Sequence, residues 1–197
     1  TQLQRNGEFE GAFLMIDKYQ SSWRDANGYN DGQMYGEVDS GHSDTVDLDD
    51  WFTNLDLDRK DTAKREYVLD NNNIPALSNY MAMAAITTHM DFSRNQNMIY
   101  YRSGQTQRWE VLPWDHDGDL VTPGSRNVMN AYDMQDTQSN ITRTSLTSLY
   151  EQPDLRAAYL RRLSTLVDRF YTNNGMLNKY NELTSLYAEL STADTLK

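Results

Sequence analysis

The chain contains no cysteine, so disulfides, zinc–thiolate sites and a cysteine nucleophile are excluded. It has no apolar run approaching the ~18 residues of a membrane-crossing helix, and no signal-peptide pattern at its start. Basic residues are few: 18 Lys and Arg stand against 29 Asp and Glu, for a net charge of −11. Nucleic acid and anionic membranes reward Lys and Arg, so neither is an expected partner, and no membrane insertion is expected. Hydrophobic residues make up only 38% of the chain, yet 13 Tyr and 4 Trp supply large burying surfaces. That combination describes a folded domain with a polar surface. At 197 residues the chain can form one large domain or a two-lobed one with a substantial core.

What is present is concentrated in residues 89–118. Segments 97–102 (Asn-Met-Ile-Tyr-Tyr-Arg) and 108–113 (Arg-Trp-Glu-Val-Leu-Pro) are rich in β-branched and aromatic residues and read as strands. The stretch between them, Ser-Gly-Gln-Thr-Gln, is of hairpin-loop length and contains Gly104. A hairpin brings its two ends together, so Asp91, Asn97, Asp115 and Asp117 are expected to meet at its open end. Three carboxylates and an amide gathered there repel one another unless a cation or a proton separates them. Oxygen-only ligation suits Mg²⁺, Mn²⁺ or Ca²⁺ rather than zinc.

The rest of the chain frames this stretch. The opening Thr1-Gln-Leu-Gln-Arg reads as the middle of a longer fold whose first strands are missing. Asn6-Gly7 is a hairpin-turn signal, but so short a run before it is too little for a secure partner strand. Residues 8–17 read as a strand with a candidate bulge at Gly11. Residues 18–50 are expected to be loop with short strand pieces such as 33–38. Residues 44–61 crowd Asp around Trp51-Phe52. No start at Asp44, Asp47 or Asp49 supplies the Gly and Glu of an EF-hand loop, so a solvated acidic connector is expected.

Helices are predicted over 61–70 and, after an Asn71-Asn-Asn break, from Pro75 to His89. Leu77, Tyr80, Met81, Ala84 and Thr88 share one face of the latter, with Met81 and Met83 as core. Residues 119–139 form a long polar loop, a class that is usually functional or disordered. Two scaffold helices then close the chain. The first is opened by Pro153 and Asp154, follows Leu155, Leu160, Leu163, Val167 and Phe170, and ends on Gly175 as a left-handed cap. The second follows Met176, Leu177, Tyr180, Leu183, Leu186, Tyr187 and Leu190.

An Asp, then an Asn, two strands and a second Asp is the layout by which protein kinases hold an acceptor hydroxyl and Mg²⁺. His89-Met-Asp91 parallels the kinase His-Arg-Asp triplet, and Asp117-Gly118 weakly parallels Asp-Phe-Gly. Three segments carry a closer likeness: Asn6-Gly-Glu-Phe-Glu-Gly-Ala-Phe; Asp91 with Arg94-Asn-Gln-Asn-Met-Ile-Tyr-Tyr; and Trp109-Glu-Val-Leu-Pro-Trp-Asp-His-Asp. The last follows the pattern Trp-x-x-x-Pro-Trp-Asp-x-Asp. In these segments the sequence resembles the CotH (spore coat protein H) kinases, an atypical, secreted branch of the protein-kinase-like fold.

The resemblance implies an α+β, protein kinase-like two-lobed fold with a mainly helical C-lobe around a central β-hairpin. It implies one domain over 1–197, in which 1–50 are the remnant of an incomplete N-lobe and 51–197 the C-lobe. It further implies ATP with Mg²⁺ or Mn²⁺ (Ca²⁺ being possible) and transfer to Ser or Thr of secreted or bacterial cell-surface proteins. Asp91 would be the catalytic base. Asn97, Asp115 and Asp117 would hold metal, while Asp17, Lys18, Asn97 and Trp114 would bear on the nucleotide.

Two positions depart from the family pattern. Asp17 stands where a Glu is expected, and Gly36, in Gly32-Gln-Met-Tyr-Gly36, stands where the phosphate-gripping Lys is expected. A non-catalytic binding module of a surface assembly, with another chain completing the N-lobe, is therefore the alternative to an active kinase. A calcium-stabilised structural domain is the third reading.

Overall fold

A strand that is apolar on both faces must be covered on both, and Met98–Arg102 is such a strand: Met98, Ile99, Tyr100 and Tyr101 are all buried. The computed structural model describes residues 2–6, 8–12, 17–36, 46–56, 62–87, 89, 97–116, 119–120 and 151–192. In chain order the elements are β1 (Gln2–Arg5), β2 (Glu8–Ala12), α1 (Ser21–Asn27), β3 (Gln33–Tyr35), α2 (Val46–Asp56), α3 (Thr62–Asn71) and α4 (Ile74–Thr87). There follow β4 (Met98–Arg102), β5 (Trp109–Pro113), α5 (Pro153–Val167), a π-helical segment (Asp168–Thr172) and α6 (Gly175–Thr192). The fold is α+β, as expected. It divides into two units, Tyr19–Leu166 and Thr1–Lys18 with Val167–Lys197.

In the larger unit β3, β4 and β5 form an antiparallel sheet with β4 in the middle. Ile99 and Tyr101 point to one face with Met34 and Leu112, where Tyr19, Trp23, Tyr29 and Trp114 pack over them. On the other face Tyr100 meets Trp51 and Phe52 of α2, with ring centroids at 5.8 and 5.2 Å. Trp51 also stacks on Trp109 at 5.0 Å and donates its indole N–H to Asn72 Oδ1 at 3.0 Å. Tyr19, Trp23, Tyr29 and Trp114 on one face, and Trp51 and Phe52 on the other, are thus the two covers of one strand.

Two of these covers correct the sequence reading. The expected loop over 18–50 contains α1, and the expected acidic connector contains all of α2, whose Trp51, Phe52 and Leu55 are core. Asp47 and Asp49 lie in the first turn of α2, where carboxylates favour the helix dipole. Those Asp residues therefore support a helix, and their charge does not mark solvated loop. Helix α1 ends on Gly28 at φ 80°, and Arg24 ties down the chain that follows by donating to the carbonyls of Tyr29 and Gly32 at 3.1 and 2.8 Å.

Helices α3 and α4 fall where expected, and Leu77, Tyr80, Met81 and Ala84 are buried as read; Thr88 lies outside the described residues. Met83, expected in the core, is 37% exposed instead, while Ile86 takes a buried place. Lys64 is buried and donates to the Leu55 carbonyl in the last turn of α2, with Glu151 at 3.7 Å. A cation at that terminus satisfies a carbonyl that the helix leaves unpaired.

The turn that joins β4 to β5 is fastened from outside. Tyr101 donates its hydroxyl to Asp31, and the Gln105 amide donates to the other Asp31 oxygen at 3.2 Å. The Tyr101 hydrogen bond holds the Asp31 carboxyl below its ordinary value. A depressed carboxyl stabilises the fold above its unfolded pKa, and that contribution is lost as pH falls through the folded one. Melting temperatures recorded from neutral to acid pH should therefore fall less steeply at the acid end for Asp31→Asn than for the parent chain.

In the smaller unit β1 pairs antiparallel with β2, so the residues before Asn6 do supply a partner strand. Asn6 has φ 54°, as the turn signal requires. The register shifts between Leu3, opposite Gly11, and Gln4, opposite Phe9, which leaves Glu10 as a bulge beside the glycine. Helix α6 packs beside β2 and the π-helical segment. The left-handed residue before it is Asn174, at φ 56°, and Gly175 begins the helix, correcting the expected cap. A side chain at Gly175 would meet the Arg169 carbonyl oxygen at 2.3 Å, which accounts for the glycine. The apolar stripe of α6, read as scaffold, is open: Leu177, Tyr180, Leu183, Leu186 and Tyr187 are 49–66% exposed.

Candidate functional site

Register decides which side chains the hairpin brings together. Met98 lies opposite Pro113, so Asn97 and Asp115 flank the open end of β4–β5 from its two sides. Both have left-handed backbones, Asn97 at φ 56° and Asp115 at φ 53°. Asn and Asp are the non-glycine residues that tolerate this conformation best. Asn97 is buried and Asp115 is exposed. The expected meeting of these two at one end is what the pairing produces; Asp91 and Asp117 lie outside the described residues.

The remaining residues of the expected site fall as follows. Trp114 is half-buried, its ring 5.7 Å from Tyr19, whose hydroxyl donates to the Pro113 carbonyl at 2.6 Å. Its indole thus belongs to the aromatic cover of the sheet. Asp17 and Lys18, both exposed, belong to the smaller unit. Gly36 follows β3 at φ 145°, and a Cβ there would stand 2.7 Å from Ile99 Cδ1 and 3.0 Å from the Met98 carbonyl oxygen. A side chain at this position would strain the backbone and displace the tip of Ile99, which disfavours the lysine of the family pattern. Replacing Gly36 by Ala should lower stability by ~1–3 kcal/mol, the usual strain of such a backbone, read from urea unfolding. Unchanged stability would show that the chain relaxes around the methyl group.

Beside the open end lies a constellation that the sequence reading missed. His89, fully buried just after α4, directs Nδ1 to Asp119 Oδ1 at 2.5 Å, and His116 directs its Nδ1 to Asp119 Oδ2 at 2.8 Å. The two imidazole rings stack at 4.0 Å with 16° between their planes. The Leu120 amide donates to the Thr87 carbonyl at 2.7 Å, so the turn after β5 is tied to the end of α4. Leu120 has φ 59°, a strained value for a bulky residue. Tyr80 meets His116 edge-on at 6.5 Å, and burial pushes its hydroxyl well above the ordinary tyrosine range. The only signal in the sequence is the His-x-x-Asp spacing of His116 and Asp119, too common to single out.

A polar cleft of about 320 Å³ opens at the other, closed end of the hairpin, lined by residues such as Tyr29, Asp31, Asn73, Arg108 and Glu110. Burial raises the Glu110 carboxyl, partly opposed by the Asn73 amide that donates to it at 3.0 Å. The groups of this cleft largely satisfy one another, and they stand a strand's length, ~13 Å, from Asn97 and Asp115.

Asn97 and Asp115 offer a neutral and an anionic oxygen, a donor set that fits Mg²⁺ or Mn²⁺. The whole chain, residues 1–197, matches the family described as CotH kinase protein, and no curated protein matches it significantly. The chain belongs to the CotH kinase family.

Proposed function

We propose that this CotH-family chain transfers the γ-phosphate of ATP to a Ser or Thr hydroxyl of a secreted or surface protein. The observation that carries the reading is the hairpin that brings Asn97 and Asp115 to one end, in the order that phosphoryl-transfer sites use. Asp91 accepts the proton of the acceptor hydroxyl as its oxygen bonds to the γ-phosphorus, and the bond to the bridging β–γ oxygen breaks to release ADP. Asn97, Asp115 and Asp117 hold Mg²⁺ or Mn²⁺, which neutralises the phosphate charge when bound. Trp114, next to Asp115 in the chain, would bear on the nucleotide. The fold in this reading is the two-lobed kinase-like one, with 1–50 contributing to the N-lobe and a second chain able to complete it.

The space around Gly36 favours a second reading, a kinase-like binding module of an extracellular assembly that has lost its phosphate-gripping lysine. Transfer of labelled phosphate from ATP to a protein hydroxyl, dependent on Mg²⁺ or Mn²⁺, separates the two. Turnover supports the kinase. Absence of turnover, whether or not ATP and metal bind, overturns the kinase and supports the module.

A further inference from the structure

We infer that His89, His116 and Asp119 form a site for one divalent transition-metal ion of the zinc and cobalt class, additional to the oxygen donors Asn97 and Asp115. The donor set is the first reason. Two imidazole nitrogens and a carboxylate suit Zn²⁺, Co²⁺ or Fe²⁺, whereas Mg²⁺ prefers oxygen alone. Geometry is the second. One ligand atom from each residue lies within 4.8 Å of the others, close to the ~4.4 Å that is the widest spacing of two donors each ~2.2 Å from a common ion. Both rings turn Nδ1 toward the two oxygens of a single carboxylate, so the three side chains meet at Asp119.

Burial is the third reason. His89 is fully buried, the Asp119 side chain is 10% exposed and that of His116 28%. Of the three side chains, that of His116 is the most exposed. The His116 Nε2 atom is itself buried with no hydrogen-bond partner among the described residues. Ordinary packing leaves few buried polar atoms in that state. The supports are also rigid: the His89 amide donates to the Ala84 carbonyl at 2.9 Å, and the Leu120 amide to Thr87 at 2.7 Å. Strained backbone such as that of Leu120 gathers at ligand clamps. An ion here fastens the end of α4 to the turn after β5, the two segments that border Asp91 and Asp115 in sequence.

The chain has three histidines, His42, His89 and His116, so their imidazole resonances can be followed individually. Titration of the ¹⁵N-labelled 197-residue chain with Zn²⁺ should shift His89 and His116 together, complete at one equivalent, and leave His42 in place. Excess Mg²⁺ should not reproduce the joint shift of His89 and His116. Co²⁺ should develop visible absorption that Zn²⁺ abolishes. His116→Ala and Asp119→Ala should weaken zinc binding by more than ~10-fold, since even outer-shell losses reach that size, while Asp115→Asn should retain it. Unmoved resonances, or full zinc affinity in His116→Ala, would leave the trio a hydrogen-bonded clamp and overturn the site. The measurement on the parent chain needs no variant to fold. Zinc binding without phosphoryl transfer would sustain this site while removing the kinase reading, and the converse would do the reverse.

Discussion

Asp115→Asn is expected to lower metal-dependent phosphoryl transfer by at least ~10–100-fold, a loss seen even for outer-shell partners of a metal. The substitution is chosen for its backbone. Asp115 sits at φ 53°, and Asn tolerates the left-handed region as well as Asp does, so the variant removes the charge and leaves the turn. Because Asp115 is exposed, the fold itself should be little affected. The carboxylate and the phosphates of ATP would hold the same cation together, so the concentration of Mg²⁺ needed for half-maximal rate should rise as kcat falls.

Asp91→Asn makes the complementary case. Removing a general base lowers kcat by ~10²–10⁴-fold, which is about 3–5 kcal/mol of barrier. The dependence on Mg²⁺ should stay where it was, because a base acts on the acceptor hydroxyl. Initial rates over a grid of ATP and Mg²⁺ concentrations distinguish the two variants. Parent rates in both, with unchanged melting temperatures, would remove Asp91 and Asp115 from the mechanism and with them the kinase reading.

The elements that could be read from sequence are those whose own residues carried the pattern. Segments 97–102 and 108–113 did so through aromatic and β-branched content, and the hairpin followed, with Asn97 and Asp115 at its mouth. Helix α4 was legible from Pro75 and the spacing of Leu77, Tyr80, Met81 and Ala84. Helix α2 has the same kind of spacing in Leu48, Trp51, Phe52 and Leu55, but the surrounding Asp residues drew attention to charge instead of period. Helix α1 has one large apolar residue, Trp23, in a short segment, and it is held by Arg24 and by the sheet it covers. Tertiary contact decides such a helix, and no local pattern can announce it. The His89, His116 and Asp119 cluster was hidden for a related reason: the end of α4 and the turn after β5 meet only once the hairpin has folded back. Asn174 shows the finest scale of the problem, because two adjacent residues could each take the left-handed turn and the close approach of Arg169 selected which.

Trp51→Ala is expected to be the most destabilising single change in the larger unit, by ~3–5 kcal/mol. The residue is 1% exposed and sits between Phe52, Tyr100 and Trp109, so its removal opens a cavity on one whole face of β4. It also leaves Asn72 Oδ1 without the indole N–H that it accepts at 3.0 Å. Asn72 is itself buried, donates to the Val68 carbonyl and forms a bridge with Trp109, so the loss spreads to the junction of α3 and α4. Trp51→Phe keeps a ring in the cavity but not the donor, and should cost ~1–3 kcal/mol, the penalty of an orphaned buried acceptor. For a chain of this length each kcal/mol lowers the melting temperature by ~2–4 °C. The two variants should therefore separate clearly in a thermal scan, with Ala below Phe and Phe below the parent. A loss under ~1 kcal/mol in Trp51→Ala would mean that α2 does not cover the sheet. The sheet carries Asn97 just before β4 and Asp115 beyond β5, so the alanine variant should also lose metal-dependent transfer at temperatures where Asp115→Asn remains folded.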